Sequence, residues 1–384
     1  MEYKLEELFE LQMGKTPSRD KREYWENGRN KWISIADLSK SGKYICETKE
    51  HLSDKALTET RISPIPENTV VMSFKLSIGK IAITSETMYS NEAIMAFRDS
   101  HKVKLLPEYV YYLLMAHDWN AGTNKAVMGK TLNKATLSKT KVNVHSYEKQ
   151  LEIVQILNQI TNIIEVRNQQ LEWLEKMVQA RFVEMFGDPV SNPYGYDKVA
   201  LSDLADIKIG PFGSLLHKED YIDGGHPLLN PSHIVDGKVS PDDKLTISDE
   251  KYEELSAYQL KTGDVVMGRR GEMGRCAVVP EDGFLCGTGS MLIRTKGEVT
   301  ADYIQKIISF PSFKKTIEDM AVGQTMPNLN VPIVSGFQII KPPMEVQDRY
   351  YAFAEQVNKS KVAVQKALDE TQILFDSLMQ KYFG

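Results

Sequence analysis

The 384-residue sequence predicts an α+β protein in which one unit, a mixed α/β domain followed by a long helix, occurs twice. Two observations support this prediction. Sequence fragments recur about 195 residues apart, and two stretches of about 40 residues contain neither glycine nor proline. We expect the two long helices to pair as an antiparallel coiled coil, so that two similar domains are separated by the helices with pseudo-twofold symmetry.

The internal repeat extends over the whole chain. A period of this length indicates a duplicated domain rather than a solenoid. The offset drifts by only a few residues, which small loop insertions explain. The recurring pairs are Val70–Met72 with Val265–Met267, Gly79–Ala82 with Gly274–Ala277, Gly129–Leu132 with Gly323–Met326, Gln150 with Gln347, and Phe186–Gly187 with Phe383–Gly384.

Each copy begins with a mixed region and ends in a helix. Short β-branched runs such as Thr69–Met72 and Ile81–Thr84 predict strands, and Glu108–His117 predicts a helix. We therefore place a first domain at 1–145, a first long helix at 146–187, a linker with the second domain at 188–343, and a second long helix at 344–384.

Apolar residues in the two long helices alternate at spacings of three and four, which keeps one seam facing a partner helix. The seam consists of Val154, Leu157, Ile160, Ile164, Leu171, Leu174 and Val178 in the first helix, with Arg167 in the gap, and of Val357, Val364, Leu368, Phe375 and Leu378 in the second, where Lys361 and Thr371 interrupt it. Forty residues make a helix of about 60 Å. Gly187 and Gly384 suit the helix ends. The alternative is that each helix packs on its own domain or on another chain.

Composition indicates a soluble protein of the cytoplasm. The sequence has no apolar run of about 18 residues and no signal peptide, so no membrane association is expected. The three cysteines, Cys46, Cys276 and Cys286, predict small buried side chains in a reduced compartment. The net charge of −5 is unusual for a nucleic-acid binder, but phosphate binding needs only a local basic face.

No complete active site is recognisable in the sequence, so we predict a protein that is not an enzyme. The sequence lacks the complete phosphate-binding pattern Gly-x-x-x-x-Gly-Lys-Ser/Thr, a methyltransferase signature and paired metal-binding histidines. Asp242, Asp249 and Lys251 formally fit a nuclease pattern, but they lie in an acid-rich, turn-like segment. A free-standing nuclease that uses these three residues remains one alternative.

Two elements in each copy, rich in basic or amide side chains, are candidate DNA contacts. The first is a polar loop that precedes the long helix, and the second is a hairpin turn that contains glycines. As an alternative, both elements are solvated surface loops. The candidate residues are Lys125, Lys130, Thr131, Asn133 and Lys134 in the first loop, Gln324, Thr325, Asn328 and Asn330 in the second loop, Lys75 and Lys80 in the first hairpin, and Arg269, Arg270 and Arg275 in the second hairpin.

Several segments in the same order resemble the specificity subunits of Type I restriction–modification enzymes. The resemblance covers essentially the whole chain. The segments are Gly14–Ser18, Trp32–Leu38 and Asn91–Ile94 in the first copy, and Gly210–Ser214 with Asp220–Tyr221, Gly263–Gly271 and Ile339–Gln347 in the second. His145–Tyr147 replaces the usual Pro-Pro before the first helix, and Gly287–Ser290 replaces the Asn-x-Ala-Ile segment, so the two domains are expected to read different sequences.

The resemblance implies that each domain is a target-recognition domain for half of a bipartite, asymmetric site in double-stranded DNA. It also implies that the paired helices set the gap between the half-sites and dock two methyltransferase subunits. Those partners would carry S-adenosylmethionine, whereas this chain would need no cofactor, and a motor-nuclease subunit would join for cleavage. A coiled-coil scaffold that ignores DNA is the second alternative.

Overall fold

The computed structural model describes residues 1–75, 77–119, 132–321 and 328–384. It divides into two compact units. Unit 1 consists of Met1–Gln170 and Val364–Gly384, and unit 2 consists of Leu171–Ala363. Within the described ranges, no helix is long and apolar enough to cross a membrane.

Unit 1 contains mixed α and β structure. Its strands are β1 (Glu2–Lys4), β2 (Phe9–Met13), β3 (Asn30–Ile33), β4 (Tyr44–Ile45), β5 (Glu50–Leu52), β6 (Val70–Ser73), β7 (Ile81–Thr84), β8 (Tyr89–Ser90), β9 (Ile94–Asp99) and β10 (Lys141–Asn143). Its helices are α1 (Leu5–Leu8), α2 (Ile35–Lys40), α3 (Asp54–Thr60), α4 (Pro107–Ala116), α5 (Lys134–Lys139) and the first part of α6 (Tyr147–Phe186). A five-stranded sheet has the order β2-β9-β6-β7-β4, beside a β5-β3-β8 sheet and a β1-β10 pair.

Unit 2 repeats much of this plan. Its strands are β11 (Lys198–Ala200), β12 (Ala205–Ile209), β13 (Tyr221–Ile222), β14 (His226–Leu229), β15 (Ile234–Val235), β16 (Lys238–Val239), β17 (Thr246–Ile247), β18 (Val265–Gly268), β19 (Cys276–Val278), β20 (Leu285–Cys286), β21 (Ser290–Thr295) and β22 (Gln338–Ile340). Its helices are α7 (Leu201–Leu204), α8 (Asp249–Glu254), α9 (Ala301–Ser309), α10 (Pro311–Met320), α11 (Val331–Ser335) and the first part of α12 (Met344–Phe383).

The central sheets of the two units correspond strand by strand. The order β12-β21-β18-β19 in unit 2 matches β2-β9-β6-β7 in unit 1, and the β11-β22 pair matches β1-β10. In both units the central strands are completely buried, because side chains pack on both faces of the sheet. The predicted mixed α/β character of the two similar domains is confirmed.

In unit 1 the start of α6 packs against the end of α12. Lys149 lies over the ring of Tyr382, and farther along α6 Arg167 contacts the Thr371 hydroxyl, so the two helix segments are antiparallel. Val154, Leu157 and Ile160 of the predicted seam are buried, and Ile164 is half-buried. Alternation of three and four residues therefore identified the buried face correctly.

In unit 2 the end of α6 packs against the start of α12. The rings of Phe186 and Tyr350 lie 5.3 Å apart, and Lys361 Nζ donates to Glu175 Oε1 at 2.9 Å, so these segments are also antiparallel. Leu171, Leu174 and Val178 of the predicted seam are half-buried. The antiparallel pairing predicted from the sequence is confirmed.

Each globular core is completed by the end of the long helix that belongs to the other sequence repeat. In unit 1, Met379 of α12 is buried in the same cluster as Tyr109, and Phe383 lies 5.5 Å from the Tyr109 ring. In unit 2, Phe182 and Phe186 of α6 lie in an aromatic cluster with Tyr303. Neither core is therefore built from one repeat alone.

The polar residues that interrupt the seam of one long helix form hydrogen bonds or ion pairs with the other long helix. The Arg167 guanidinium donates to the Ala367 carbonyl and to the Thr371 hydroxyl, and Lys361 forms an ion pair with Glu175. A polar group in an apolar seam is tolerated only in the alignment that satisfies it. These pairs therefore favour one helix register over shifted ones.

A buried glutamine at the same place in each repeat connects the long helix to its domain. The Gln150 amide donates to the carbonyls of Lys104 and His145, and its oxygen accepts from the Leu106 N–H. Gln347 donates to the Pro342 carbonyl and accepts from the Thr300 N–H. Both side chains satisfy buried backbone groups of a loop, which explains their recurrence.

Two smaller expectations have different outcomes. Gly187 ends α6 in the left-handed region, with φ +73°, as a terminal glycine should. Cys276 and Cys286 are buried as predicted, but Cys46 is exposed, because it follows the end of strand β4 on the surface. The expectation of three buried cysteines was therefore wrong for Cys46.

Replacing Phe182 with alanine tests whether α6 completes the core of unit 2. Phe182 is 2% exposed, so we expect Phe182→Ala to reduce the free energy of unfolding by about 3–5 kcal/mol. The adjacent Val183 is 42% exposed, and Val183→Ala should change stability by less than about 0.5 kcal/mol. Urea denaturation followed by circular dichroism measures both variants. Equal effects would contradict the proposed packing.

Candidate nucleic-acid interface

The two predicted basic hairpins are present at equivalent places. Strands β6 and β7 form one antiparallel hairpin, and β18 and β19 form the other. Gly79 and Gly274 occupy the same turn position and have φ values of +85° and +73°. This left-handed conformation is easily adopted by glycine, which explains why glycine recurs there.

In each unit the hairpin turn is hydrogen-bonded to the segment that precedes the short helix. The Leu132 N–H donates to the Phe74 carbonyl at 3.1 Å in unit 1, and the Leu329 N–H donates to the Arg269 carbonyl at 3.0 Å in unit 2. The two candidate DNA-binding elements were separate predictions from the sequence. The structure brings the described parts of both together.

Two further segments join the same place. The Phe74 N–H donates to the Ala93 carbonyl and the Arg269 N–H donates to the Gly289 carbonyl, both at 3.0 Å. Gly14 in unit 1 and Gly210 in unit 2 each lie very close to a neighbouring segment. A Cβ atom would lie 2.2 Å from the Asn91 backbone oxygen at Gly14 and 2.1 Å from that of Gly287 at Gly210. We call this arrangement the four-segment junction; it comprises 14–16, 73–75, 91–94 and 132–134 in unit 1, and 210–212, 268–270, 287–290 and 328–330 in unit 2.

Four described lysines of unit 1 lie at or next to its junction. Lys15 donates to the Thr60 carbonyl at 2.8 Å, and the other three are predicted DNA contacts. Lys80 and Lys134 are exposed, and Lys75 is half-buried with its ammonium group 5.3 Å from the centre of the Phe74 ring. None of the three forms an ion pair within the described ranges. The charges of Lys80 and Lys134 are therefore available to an anionic ligand, whereas the charge of Lys75 also acts on the Glu92 carboxylate.

A carboxylate lies among these basic groups. The Thr16 hydroxyl donates to the Glu92 carboxylate and lowers its pKa, and the charges of Lys75 and Arg19 lower that pKa further. Glu92 therefore stays ionised. Thr16 and Glu92 were not predicted as site residues, although both lie in segments that carry the family resemblance. Their position near the hairpin depends on long-range hydrogen bonds.

The arginines of unit 2 differ in their surroundings. Arg269 is half-buried and its Nε donates to Asn328 Oδ1 at 3.1 Å, whereas Arg270 is exposed. Burial lowers the pKa of Arg269, and the neighbouring Arg270 charge lowers it further. Arg275 is bound by the Glu272 carboxylate at 2.8 Å and donates to the Pro231 carbonyl at 3.2 Å. Arg275 is thus the least available of the three.

Asn133 and Asn330 have the same structural role in the two units. Each is the N-cap of the short helix that follows, because Asn133 Oδ1 accepts from the Thr136 N–H at 2.8 Å and Asn330 Oδ1 accepts from the Ile333 N–H at 3.0 Å. Both side chains are exposed, and each keeps an NH2 group for other partners. Five predicted contacts, Lys125, Lys130, Thr131, Gln324 and Thr325, lie outside the described residues.

The residues of the alternative nuclease pattern make separate local contacts. Asp242 accepts from the Lys244 N–H, Asp249 lies 3.1 Å from His226 Nε2, and Lys251 donates to Glu254. Within the parts of the chain that the structure describes, no group of three or more His, Cys, Asp or Glu side chains could hold a metal ion.

The family assignment comes from comparison with known proteins. The chain matches the family described as Type I restriction modification DNA specificity domain over residues 1–176 and again over 193–371. The Type I restriction enzyme MjaIX specificity subunit of Methanocaldococcus jannaschii is 24% identical, with 98% of this chain and 91% of that protein covered. The EcoprrI specificity subunit of Escherichia coli is 26% identical over 30% of this chain and 29% of its own length.

Solved structures agree at the level of the fold. The specificity subunit of the Type I system from M. genitalium superimposes with a TM-score of 0.58 at 12% identity, covering 100% of this chain and 96% of that one. A chain from a study of complex assembly in the type I system gives a TM-score of 0.65 at 16% identity, covering 99% and 96%.

A duplicated scaffold that presents two clusters of basic side chains defines a DNA-recognition protein. The two family matches cover most of the sequence, and the chain belongs to the Type I restriction–modification specificity subunits. Its role is the recognition of DNA, without catalysis of its own.

Substitution of Asn133 separates its capping role from a role in DNA binding. Asn133→Ala removes the cap and should reduce stability by about 1 kcal/mol. Asn133→Asp keeps a good cap but adds a negative charge, so thermal stability should be retained while DNA affinity falls, as measured by fluorescence anisotropy. Ser53→Asp, at the cap of α3 outside the junction, is the control. Unchanged affinity of Asn133→Asp would remove residue 133 from the interface.

Proposed function

We propose that each unit reads one half of a bipartite, asymmetric site in double-stranded DNA. The observation that supports this proposal is the four-segment junction, which has the same backbone hydrogen bonds in both units but different side chains. Unit 1 presents lysines and Glu92, whereas unit 2 presents Arg269 and Arg270. A shared frame with different polar groups suits two readers of different base sequences.

The charge distribution supports DNA binding despite a net charge of −5. Lys80, Lys134 and Arg270 form no ion pair within the described ranges, so a phosphate does not have to displace a carboxylate from them. Five of the twelve acidic residues in the two long helices form ion pairs with basic residues, such as Glu172 with Lys176 and Glu355 with Lys359. Local, unpaired positive charge is what counterion release requires.

Binding measurements test this proposal against its two alternatives. Affinity for a DNA duplex that contains both half-sites should fall steeply with salt and should drop when either half is scrambled. A scaffold that ignores DNA would show no dependence on sequence. A free-standing nuclease would cut DNA with magnesium alone, and Asp249→Ala would abolish the cutting; this result would contradict the proposal.

We infer that the long helices also dock the catalytic partners. Large apolar side chains are exposed on α6 at helical spacing: Ile163 and Val166 in unit 1, and Trp173 and Met177 in unit 2. Trp173 is 63% exposed. Exposed apolar residues that follow one helix face are typical of a surface for another helix.

The partners on this surface would be two methyltransferase subunits, which bind S-adenosylmethionine, and motor-nuclease subunits would join them in the cytoplasm. Under this division of labour the present chain needs no cofactor. The gap between the half-sites would be fixed by the long helices, which continue from one unit into the other.

Substitution of Trp173 tests the docking surface. Trp173→Glu places a charge where an apolar partner is expected, so co-purification with the methyltransferase should be lost. The exposed residue Asn168 lies on a different face of α6, about 140° around the helix from Trp173, and Asn168→Asp adds the same charge as a control. Analytical size exclusion of the co-expressed proteins measures assembly. Retained assembly of Trp173→Glu would place the docking surface elsewhere.

A further inference from the structure

Arg269 is the residue of unit 2 whose backbone is held on both sides by the junction. It directly follows strand β18, its N–H donates to the Gly289 carbonyl, and its carbonyl accepts from the Leu329 N–H, both at 3.0 Å. The next residue, Arg270, forms an isolated β-bridge with Asn328. The position of the Arg269 Cα atom is therefore fixed by three chain segments.

The side chain of Arg269 is positioned as well, but its charge is not neutralised. Its Nε donates to Asn328 Oδ1 at 3.1 Å, and no carboxylate lies within ion-pair distance of it in the described ranges. Residues 76, 120–131 and 322–327 include no Asp or Glu. By contrast, Arg275 is paired with Glu272 and Arg294 with Asp264. A half-buried guanidinium without a carboxylate is unfavourable in the free protein, which points to a ligand that supplies acceptors.

The geometry of the free donors defines that ligand. Because Nε is bound to Asn328, the two terminal nitrogens remain, and they offer a pair of parallel N–H groups. A guanine presents its O6 and N7 acceptors side by side in the major groove and matches such a pair. Exposed and freely rotating side chains such as Arg270 are suited to bind phosphates. Reading a base edge requires a side chain held in one orientation.

We propose that Arg269 reads a guanine in the half-site of unit 2, that Asn328 is the positioning residue for its guanidinium, and that Arg270 binds phosphate. This inference rests on the proposed function of the two units. The counterpart of Arg269 in unit 1 is Phe74, which is 1% exposed, so the half-site of unit 1 is read without an equivalent arginine.

The first experiment changes the DNA and leaves the protein intact. Methylated adenines mapped in a host that expresses the chain with its methyltransferase partner give the bipartite site. Each guanine of that site is then replaced by 7-deazaguanine, which pairs normally but lacks the N7 acceptor. At one guanine of one half-site, affinity of the wild-type complex should fall about 10- to 100-fold. Two results would overturn the inference. One is a mapped site without guanine in either half, and the other is an affinity that stays equal to that for the unmodified site after each replacement.

The second experiment assigns this guanine to Arg269. Arg269→Met removes the donors and keeps an unbranched side chain, so the complex should bind all four bases at that position with similar affinity. The salt dependence should stay close to that of the wild type, because Arg269 is not proposed to contact phosphate. Asn328→Ala should lower discrimination at the same position only. Arg270→Gln should weaken binding to every sequence and reduce the salt dependence. Thermal melting of each variant verifies folding. If Arg269→Met keeps the wild-type preference, Arg269 does not read the guanine.

These outcomes separate the inference from the function on which it rests. If the wild-type complex shows no preference for a bipartite site, the proposed function itself fails. If the preference is present and Arg269→Met does not alter it, two-part recognition stands and only the role of Arg269 is rejected.

Discussion

The packing of each long helix into two cores is the constraint on which the rest of the structure depends. Helix α6 begins in unit 1, where Leu157 is buried, and ends in unit 2, where Phe182 and Phe186 are buried. Helix α12 runs in the opposite sense, with Tyr350 in the core of unit 2 and Met379 in that of unit 1. Because each core needs a helix end from the other repeat, neither domain is complete by itself. Each long helix therefore contributes buried side chains to both cores.

The four-segment junctions have the same backbone frame but different side chains in the two units. Backbone hydrogen bonds, close glycine contacts and the caps formed by Asn133 and Asn330 are common to both units. These interactions depend little on the neighbouring side chains, so the side chains are free to differ. Glu92 has no carboxylate counterpart within Gly287–Ser290 of the second repeat, and Arg269 corresponds to a buried phenylalanine. Under the proposed function, different base-reading groups on a shared backbone frame would explain why the two repeats are similar but not identical.

Most of the architecture could be predicted from the sequence because it follows from periodicity and from special residues. Three-and-four spacing identified the seam, and Gly79, Gly187 and Gly274 marked left-handed positions. Three features were not predictable in this way. The sequence shows that Phe182 and Met379 are apolar, but it does not show in which core each side chain is buried. The capping of α5 by Asn133 and the ion pair of Arg275 with Glu272 depend on local geometry that composition does not specify. The convergence of 14–16 and 91–94 on the hairpin arises from hydrogen bonds between distant segments.

The two long helices should determine the distance between the half-sites. The measurement is the mapping of methylated adenines after four residues, about one helical turn of 6 Å, are inserted after Gln170 and again after Ala363, where unit 1 and unit 2 meet along each helix. We expect both half-sites to be unchanged and the gap between them to grow by about one or two base pairs, at 3.4 Å for each base-pair step. An unchanged gap in a complex that still methylates its site would contradict the account.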